Sequence, residues 1–342
     1  MFNKLNNLNL TFLFILIMST LLSVSSSSWF IIWISMEINV MSFIPLMMKL
    51  NHMKTSESMT LYFLVQSLSS MNLLMIILMT NLKFFWFTYM YDNKIFLINL
   101  ILLMKLGAAP FYFWFPKVMK ELNWMTNYLL MTWQKIIPMN LIFYFMNKTV
   151  MYAAIIMSVI LGSLKAFNQT NLKLMMAYSS INHIGWLLST MTLNLFIWIN
   201  YLLNYLMLNY ILCKMFNMMK INFLLNIFNS PYPTQLKIII LINFFSLAGI
   251  PPFLGFLPKW MTLLTMIYAN NFLITFILIS TTLINLFFYL RLMIPNFILS
   301  FTHMKFSLLM MKFNTFKLNN LLIFSYMNML ILIFMMYIYQ MI

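Results

Sequence analysis

The chain has 342 residues, 63% hydrophobic and 7% charged, with a mean hydropathy of +0.92 and a net charge of +16. A soluble domain is about 45–50% apolar and about 25% charged, so this sequence cannot clothe a water-facing globule, and its natural solvent is lipid. The basic residues stand singly between apolar runs, which excludes a nucleic-acid-binding patch and points to charges that flank and orient membrane spans.

A helix needs about 20 residues to cross a hydrocarbon core about 30 Å thick. Breaks at polar clusters predict an all-α integral membrane protein of eleven transmembrane spans: 9–24, 28–48, 59–80, 95–115, 124–146, 149–165, 171–191, 194–217, 236–269, 271–292 and 319–341. The apolar stretch Leu10–Val24 reads as the first span rather than a cleaved signal. Residues 293–318, which contain His303 and three lysines, read as a loop against lipid head groups. Met (38) and Phe (35) are abundant and Gly (5) and Arg291 scarce, a bias toward A/T-rich codons that suggests an organellar genome.

The distribution of charge tests this map. Lys4, Lys49, Lys54, Lys117, Lys120, Lys165, Lys173, Lys214, Lys220, Lys237, Arg291, Lys305, Lys312 and Lys317 fall on the N-terminal side, and only Lys83, Lys94 and Lys148 on the other. Basic residues stay in the compartment of synthesis, so the N-terminus is expected there: the matrix, if the chain is mitochondrial. The lone cysteine, Cys213, excludes an internal disulfide and a cysteine-held metal cluster.

Three ionisable residues belong to no loop. Glu37, Lys105 and Lys135 lie near the centres of spans two, four and five. A charge at that depth costs at least about 2.5–3.5 kcal/mol, and such residues mark ion or proton paths. One glutamate cannot neutralise two lysines. Desolvation disfavours the ammonium form, so a lysine there can shed a proton; the bland alternative is a Glu–Lys pair that locks helices. Lys259, after Pro258, either lies deep in the membrane or snorkels to its edge. His183, inside span seven, is a proton relay or a hydrogen-bonded structural histidine.

Two spans are expected to break. Span four carries Gly107 and Pro110; span nine carries Gly249, Pro251 and Pro252. Proline removes a donor and clashes with the preceding turn, and freed backbone at membrane depth survives only inside protein or beside water. Pro110-Phe-Tyr-Phe-Trp-Phe-Pro-Lys117 parallels Pro252-Phe-Leu-Gly-Phe-Leu-Pro-Lys259. The two motifs lie five spans apart, which reverses their direction and suggests an inverted repeat, spans one to five against six to ten. The expected organisation is 1–148 and 149–292 as five-helix repeats, 293–318 as a matrix-side loop and 319–342 as a last helix.

Met36-Glu37-Ile-Asn39, Lys105-Leu-Gly-Ala-Ala-Pro110 with Phe113-Trp114, Thr132-Trp-Gln-Lys135, Asn168-Gln-Thr170, Ala177-Tyr-Ser-Ser-Ile181 with His183-Ile-Gly-Trp186, and Leu247-Ala-Gly-Ile-Pro-Pro252 with Gly255-Phe-Leu-Pro-Lys-Trp260 occur in order along the chain. In these motifs the sequence resembles the NADH dehydrogenase subunit 2 family of mitochondrial respiratory complex I, in an insect-like form. The resemblance implies an antiporter-like proton-pump module that has lost three N-terminal helices, in the inner mitochondrial membrane. It implies that Glu37 and Lys105 form a switchable ion pair, that Lys135 is the central carrier and that Lys259 is the outward end. NADH, FMN, iron–sulfur clusters and ubiquinone would act in partner subunits, with no cofactor on this chain. Expected partners are other complex I membrane-arm subunits and lipids including cardiolipin, not a second copy or nucleic acid. Tyr112, Lys165-Ala166 and Lys173-Leu174 depart from the usual His, Gly-Gly and Arg-Lys. The rival functions are a stand-alone cation/proton antiporter, which would transport alone, and a passive scaffold, which would tolerate neutral isosteres at Glu37 and Lys105.

Overall fold

A computed structural model describes residues 7–48, 53–81, 91–228, 234–251 and 253–302. Among them the secondary structure is helical, apart from an isolated bridge between Asn171 and Phe223. Six helices are long and apolar enough to cross a membrane. The chain divides into two compact units, Met1–Ser158 and Val159–Ile342.

In the first unit, α1 (Asn7–Ser25), α2 (Trp29–Met47) and α3 (Met53–Asn81) follow one another as packed neighbours. Next come α4 (Tyr91–Leu106), α5 (Trp114–Glu121), α6 (Trp124–Met131), a 3-10 turn (Trp133–Lys135) and α7 (Ile136–Tyr144). Serine and threonine hydroxyls donate to carbonyls one turn back, as at Ser19, Ser23, Ser35 and Ser42, so these side chains carry no unmet donor into the apolar layer. Phe14, Leu21, Leu22 and Phe30 stay exposed, which in lipid costs nothing.

Helix α8 (Lys148–Phe167) contains the boundary between the units. The second unit continues with α9 (Leu172–Met191), α10 (Leu195–Met219), α11 (Leu224–Phe228), α12 (Thr234–Ala248), α13 (Phe256–Tyr268) and α14 (Phe272–Thr302). Asn171 and Asn194 start α9 and α10 by accepting the Lys173 and Phe196 backbone N–H groups. Every residue of α9 except Leu174 and Tyr178 is buried. It is the central helix of its unit, which explains its tolerance of Lys173, Asn182 and His183. A Cβ on Gly162 would lie 2.7 Å from the Asn182 backbone nitrogen, so α8 and α9 meet where only glycine fits.

The expected breaks in spans four and nine are present and close in the same way. Gly107 N–H reaches Met104 O and Ala108 N–H reaches Leu103 O; Gly249 N–H reaches Ser246 O and Ile250 N–H reaches Phe245 O. Both glycines are left-handed, with φ of 68° and 78°, a conformation that closes a helix end cheaply only without a Cβ. The Ala109–Pro110 peptide is cis, and Pro251 follows the second closure. Pro252 lies outside the described residues.

Two expectations need correction. The sequence predicted two broken helices, but span five is also interrupted, at Thr132–Lys135. Thr132 Oγ1 donates to Tyr128 O at 2.6 Å, and Pro138 offers no N–H to the carbonyl of Gln134, so the ladder weakens from both sides. The tenth helix does not end at 292 but runs to Thr302, into the segment expected to be a loop; the sequence there stays largely apolar, and Pro295 does not end the helix. The expected count of eleven spans is neither met nor contradicted by the described residues. Spans four, five and nine are divided into shorter helices, polar α9 is not among the six strongly apolar helices, and span eleven, like residues 303–318, lies outside the described residues.

Candidate functional site: buried cations at helix breaks

Lys105, Lys135 and Lys259 are all buried, with 6%, 3% and 6% of each exposed. Each sits at a helix interruption. Lys105 is in the last turn of α4, Lys135 ends the 3-10 turn and Lys259 is in the first turn of α13.

In the first unit, Glu37 projects from the middle of α2, and its Oε1 is buried without a hydrogen-bond partner. The Lys105 ammonium rests against Met36 Sδ at 3.4 Å rather than on the carboxylate, although the Glu37 charge acts on it through space. The pair is therefore within electrostatic reach but not closed. The carbonyl of Lys105, near the end of α4, accepts from Gln66 Nε2 of α3 at 3.2 Å, and Met104 O accepts from Trp114 Nε1 at 3.1 Å. These donors satisfy backbone released by the break. The Lys135 ammonium lies 5.2 Å from the centroid of the Phe115 ring, a cation–π contact that suits a cation with little water around it.

In the second unit, Lys259 Nζ donates to Leu247 O at 3.0 Å and Ala248 O at 2.8 Å. It caps the interrupted end of α12, where released carbonyls and the helix dipole favour a cation. The side chain is turned into the protein rather than out to its surface. Lys259 Nζ also lies 5.7 Å from the Trp186 ring of α9, and Trp186 stacks on Tyr201 of α10. His183, one turn before Trp186, is buried, with Nδ1 2.9 Å from Tyr201 Oη.

Lys117, which parallels Lys259 in the local sequence match, is exposed, so the matching motifs place their lysines in different surroundings. Lys173, counted among the flanking charges, is buried in the first turn of α9. Sequence reasoning also passed over a set of buried amides: Asn39, Asn99, Asn127, Asn182, Asn243 and Asn285 each hold a side-chain atom with no protein partner. Such atoms require water or a moving partner. Their signal was available, since each is an amide inside an apolar run. Tyr201 gave no such signal, because tyrosine is common throughout this chain.

The family model described as NADH:quinone oxidoreductase/Mrp antiporter, TM, matches residues 26–285. The chain belongs to this family. Among relatives in the NADH:quinone oxidoreductase/Mrp antiporter family, NADH-ubiquinone oxidoreductase chain 2 of Anopheles gambiae is 43% identical over 303 residues, 86% of this chain and 87% of that protein. The protein of the same name from Aedes aegypti is 41% identical over 326 residues, 94% of each chain. A chain of respiratory complex I from Thermus thermophilus with bound aureothin matches with a TM-score of 0.74 at 20% identity, covering 85% of this chain and 71% of that one, a likeness of fold.

Proposed function

We propose that the chain is a proton-pumping membrane-arm subunit of respiratory complex I, the NADH:ubiquinone oxidoreductase of the inner mitochondrial membrane. The family match and the relatives' names support the assignment to the complex. The observation that carries the pumping role is the placement of all three buried lysines at helix breaks. Breaks expose backbone carbonyls and admit water where a proton must change hands.

In this reading the chain moves protons and holds no electrons. NADH, FMN, iron–sulfur and ubiquinone chemistry occurs in partner subunits of the membrane and peripheral arms. A change transmitted from those subunits alters the spacing of Glu37 and Lys105. When the carboxylate approaches, the ammonium is stabilised; when it withdraws, desolvation drives the proton off. Lys135 takes the proton next, and Lys259 is the outward end. The unclosed Glu37–Lys105 pair supports a switch rather than a permanent lock. The N-terminus lies in the matrix, spans one to five and six to ten of the eleven form an inverted repeat, and lipids including cardiolipin surround the bundle.

The test is Lys135→Met in the assembled, membrane-reconstituted enzyme, with proton translocation measured per electron passed to quinone. The expected result is a lowered proton-to-electron ratio with electron transfer still measurable. An unchanged ratio would overturn the carrier role.

A further inference from the structure

The two glycine breaks release the same backbone carbonyl, and the two units satisfy it with different chemistry. At the first break the Gly107 and Ala108 N–H groups turn back to Met104 O and Leu103 O; at the second, Gly249 and Ile250 turn back to Ser246 O and Phe245 O. Each closure releases the carbonyl two residues before its glycine, Lys105 O or Leu247 O. In the second unit the donor to Leu247 O is the Lys259 ammonium, at 3.0 Å. In the first unit the donor to Lys105 O is the side-chain amide of Gln66, at 3.2 Å. The two carbonyls are equivalent and the two donors are not.

The difference has a consequence for the lysines. Hydrogen bonds from an ammonium weaken when it loses its charge, so the cap on α12 depends on the proton that Lys259 carries. A carboxamide does not titrate, and Gln66 donates whatever the charge on Lys105. Gln66 is buried, on α3, which packs against both α4 and α5, the helices that flank the break. Trp114 Nε1 holds the adjacent carbonyl, Met104 O, at 3.1 Å. Two neutral donors therefore pin the backbone around Lys105, while its ammonium rests on Met36 Sδ at 3.4 Å, beside Glu37 in the sequence. Without the amide, the released carbonyl lacks a donor. The ammonium at the break is then drawn to cap backbone, as Lys259 does, at the expense of Glu37.

We infer that Gln66 is a positioning residue for the switch of the first unit: its amide caps the carbonyl released at the break, fixes the root of Lys105 and leaves the ammonium free to approach and leave Glu37. The inference rests on the pump reading and deepens it.

The test compares Gln66→Met, Gln66→His and the double variant of Gln66→Met with Glu37→Gln in the assembled enzyme, reading electron transfer and protons moved per electron. Methionine is unbranched like glutamine but offers no donor. Histidine can place an Nε2–H at the same reach. Gln66→Met is expected to lower the proton ratio as far as Lys135→Met does, with electron transfer still measurable, and Gln66→His to restore the wild-type ratio. In the Glu37→Gln background Gln66→Met is expected to add no further loss, because the amide acts through the Glu37–Lys105 pair. A wild-type ratio in Gln66→Met, an equal loss in Gln66→His, or a further loss in the double variant would each overturn the inference. If Gln66→Met fails to assemble, Gln66→Asn, whose amide falls one methylene short of the carbonyl, decides alone, and a wild-type ratio there refutes the role. Lys135→Met run in parallel separates the two claims: a loss there without a loss in Gln66→Met leaves the pump standing and removes only the part assigned to Gln66.

Discussion

Lys259 shows what a cation needs when it is buried. Its ammonium finds two carbonyls that exist as acceptors only because α12 stops at Ala248. The glycines beside it are fixed by the same geometry. A Cβ on Gly249 would meet Lys259 Cδ at 2.7 Å, the flexible part of a side chain, but its φ of 78° is left-handed. Gly249→Ala is expected to cost about 1–2 kcal/mol in backbone strain and to displace the lysine. A Cβ on Gly255 would overlap Ser246 O, which is backbone and cannot yield. Gly255→Ala is therefore expected to cost more, on the order of 4 kcal/mol, and to lower the amount of assembled enzyme. Blue-native quantification and thermal unfolding of both variants check the order; equal effects would contradict the geometry.

At the scale of the element, the interruption of span five is the instructive case. Its sequence carries no glycine, and the break arises from a threonine hydroxyl competing for Tyr128 O together with a proline three residues beyond Lys135. Pro138→Ala returns a donor to the helix and removes a residue that disfavours helix interiors by about 3 kcal/mol. The variant is expected to be more heat-stable yet to pump fewer protons per electron, because a straight helix withdraws Lys135 from the break. Thermal unfolding combined with the proton ratio tests this, and a stabilised variant with full pumping would separate the break from the function.

At the scale of the whole molecule, the eleven-span map makes a statement about sides. Within the first unit, Lys117 and Lys148 are both exposed and are expected to face opposite compartments. The chain's sole cysteine is buried, so a Cys213→Ser background carries no competing thiol. In that background Lys117→Cys should react with an impermeant maleimide only from the N-terminal side of the membrane, and Lys148→Cys only from the other. Labelling of both from one side would refute the map.

Much of this protein was legible in its sequence because lipid imposes simple conditions. Apolar length set where helices form, isolated lysines marked the costly positions, and glycine–proline pairs located the breaks at Gly107 and Gly249. Proximity was decided only by tertiary structure. The third break needed the hydroxyl of Thr132 aimed at a carbonyl, the burial of Lys259 needed two released acceptors within 3.0 Å, and the partnership of His183 with Tyr201 needed α9 and α10 packed side by side. Span-level features follow from summed transfer energies along one helix. Hydrogen bonds between residues of different helices depend on packing that hydropathy does not encode.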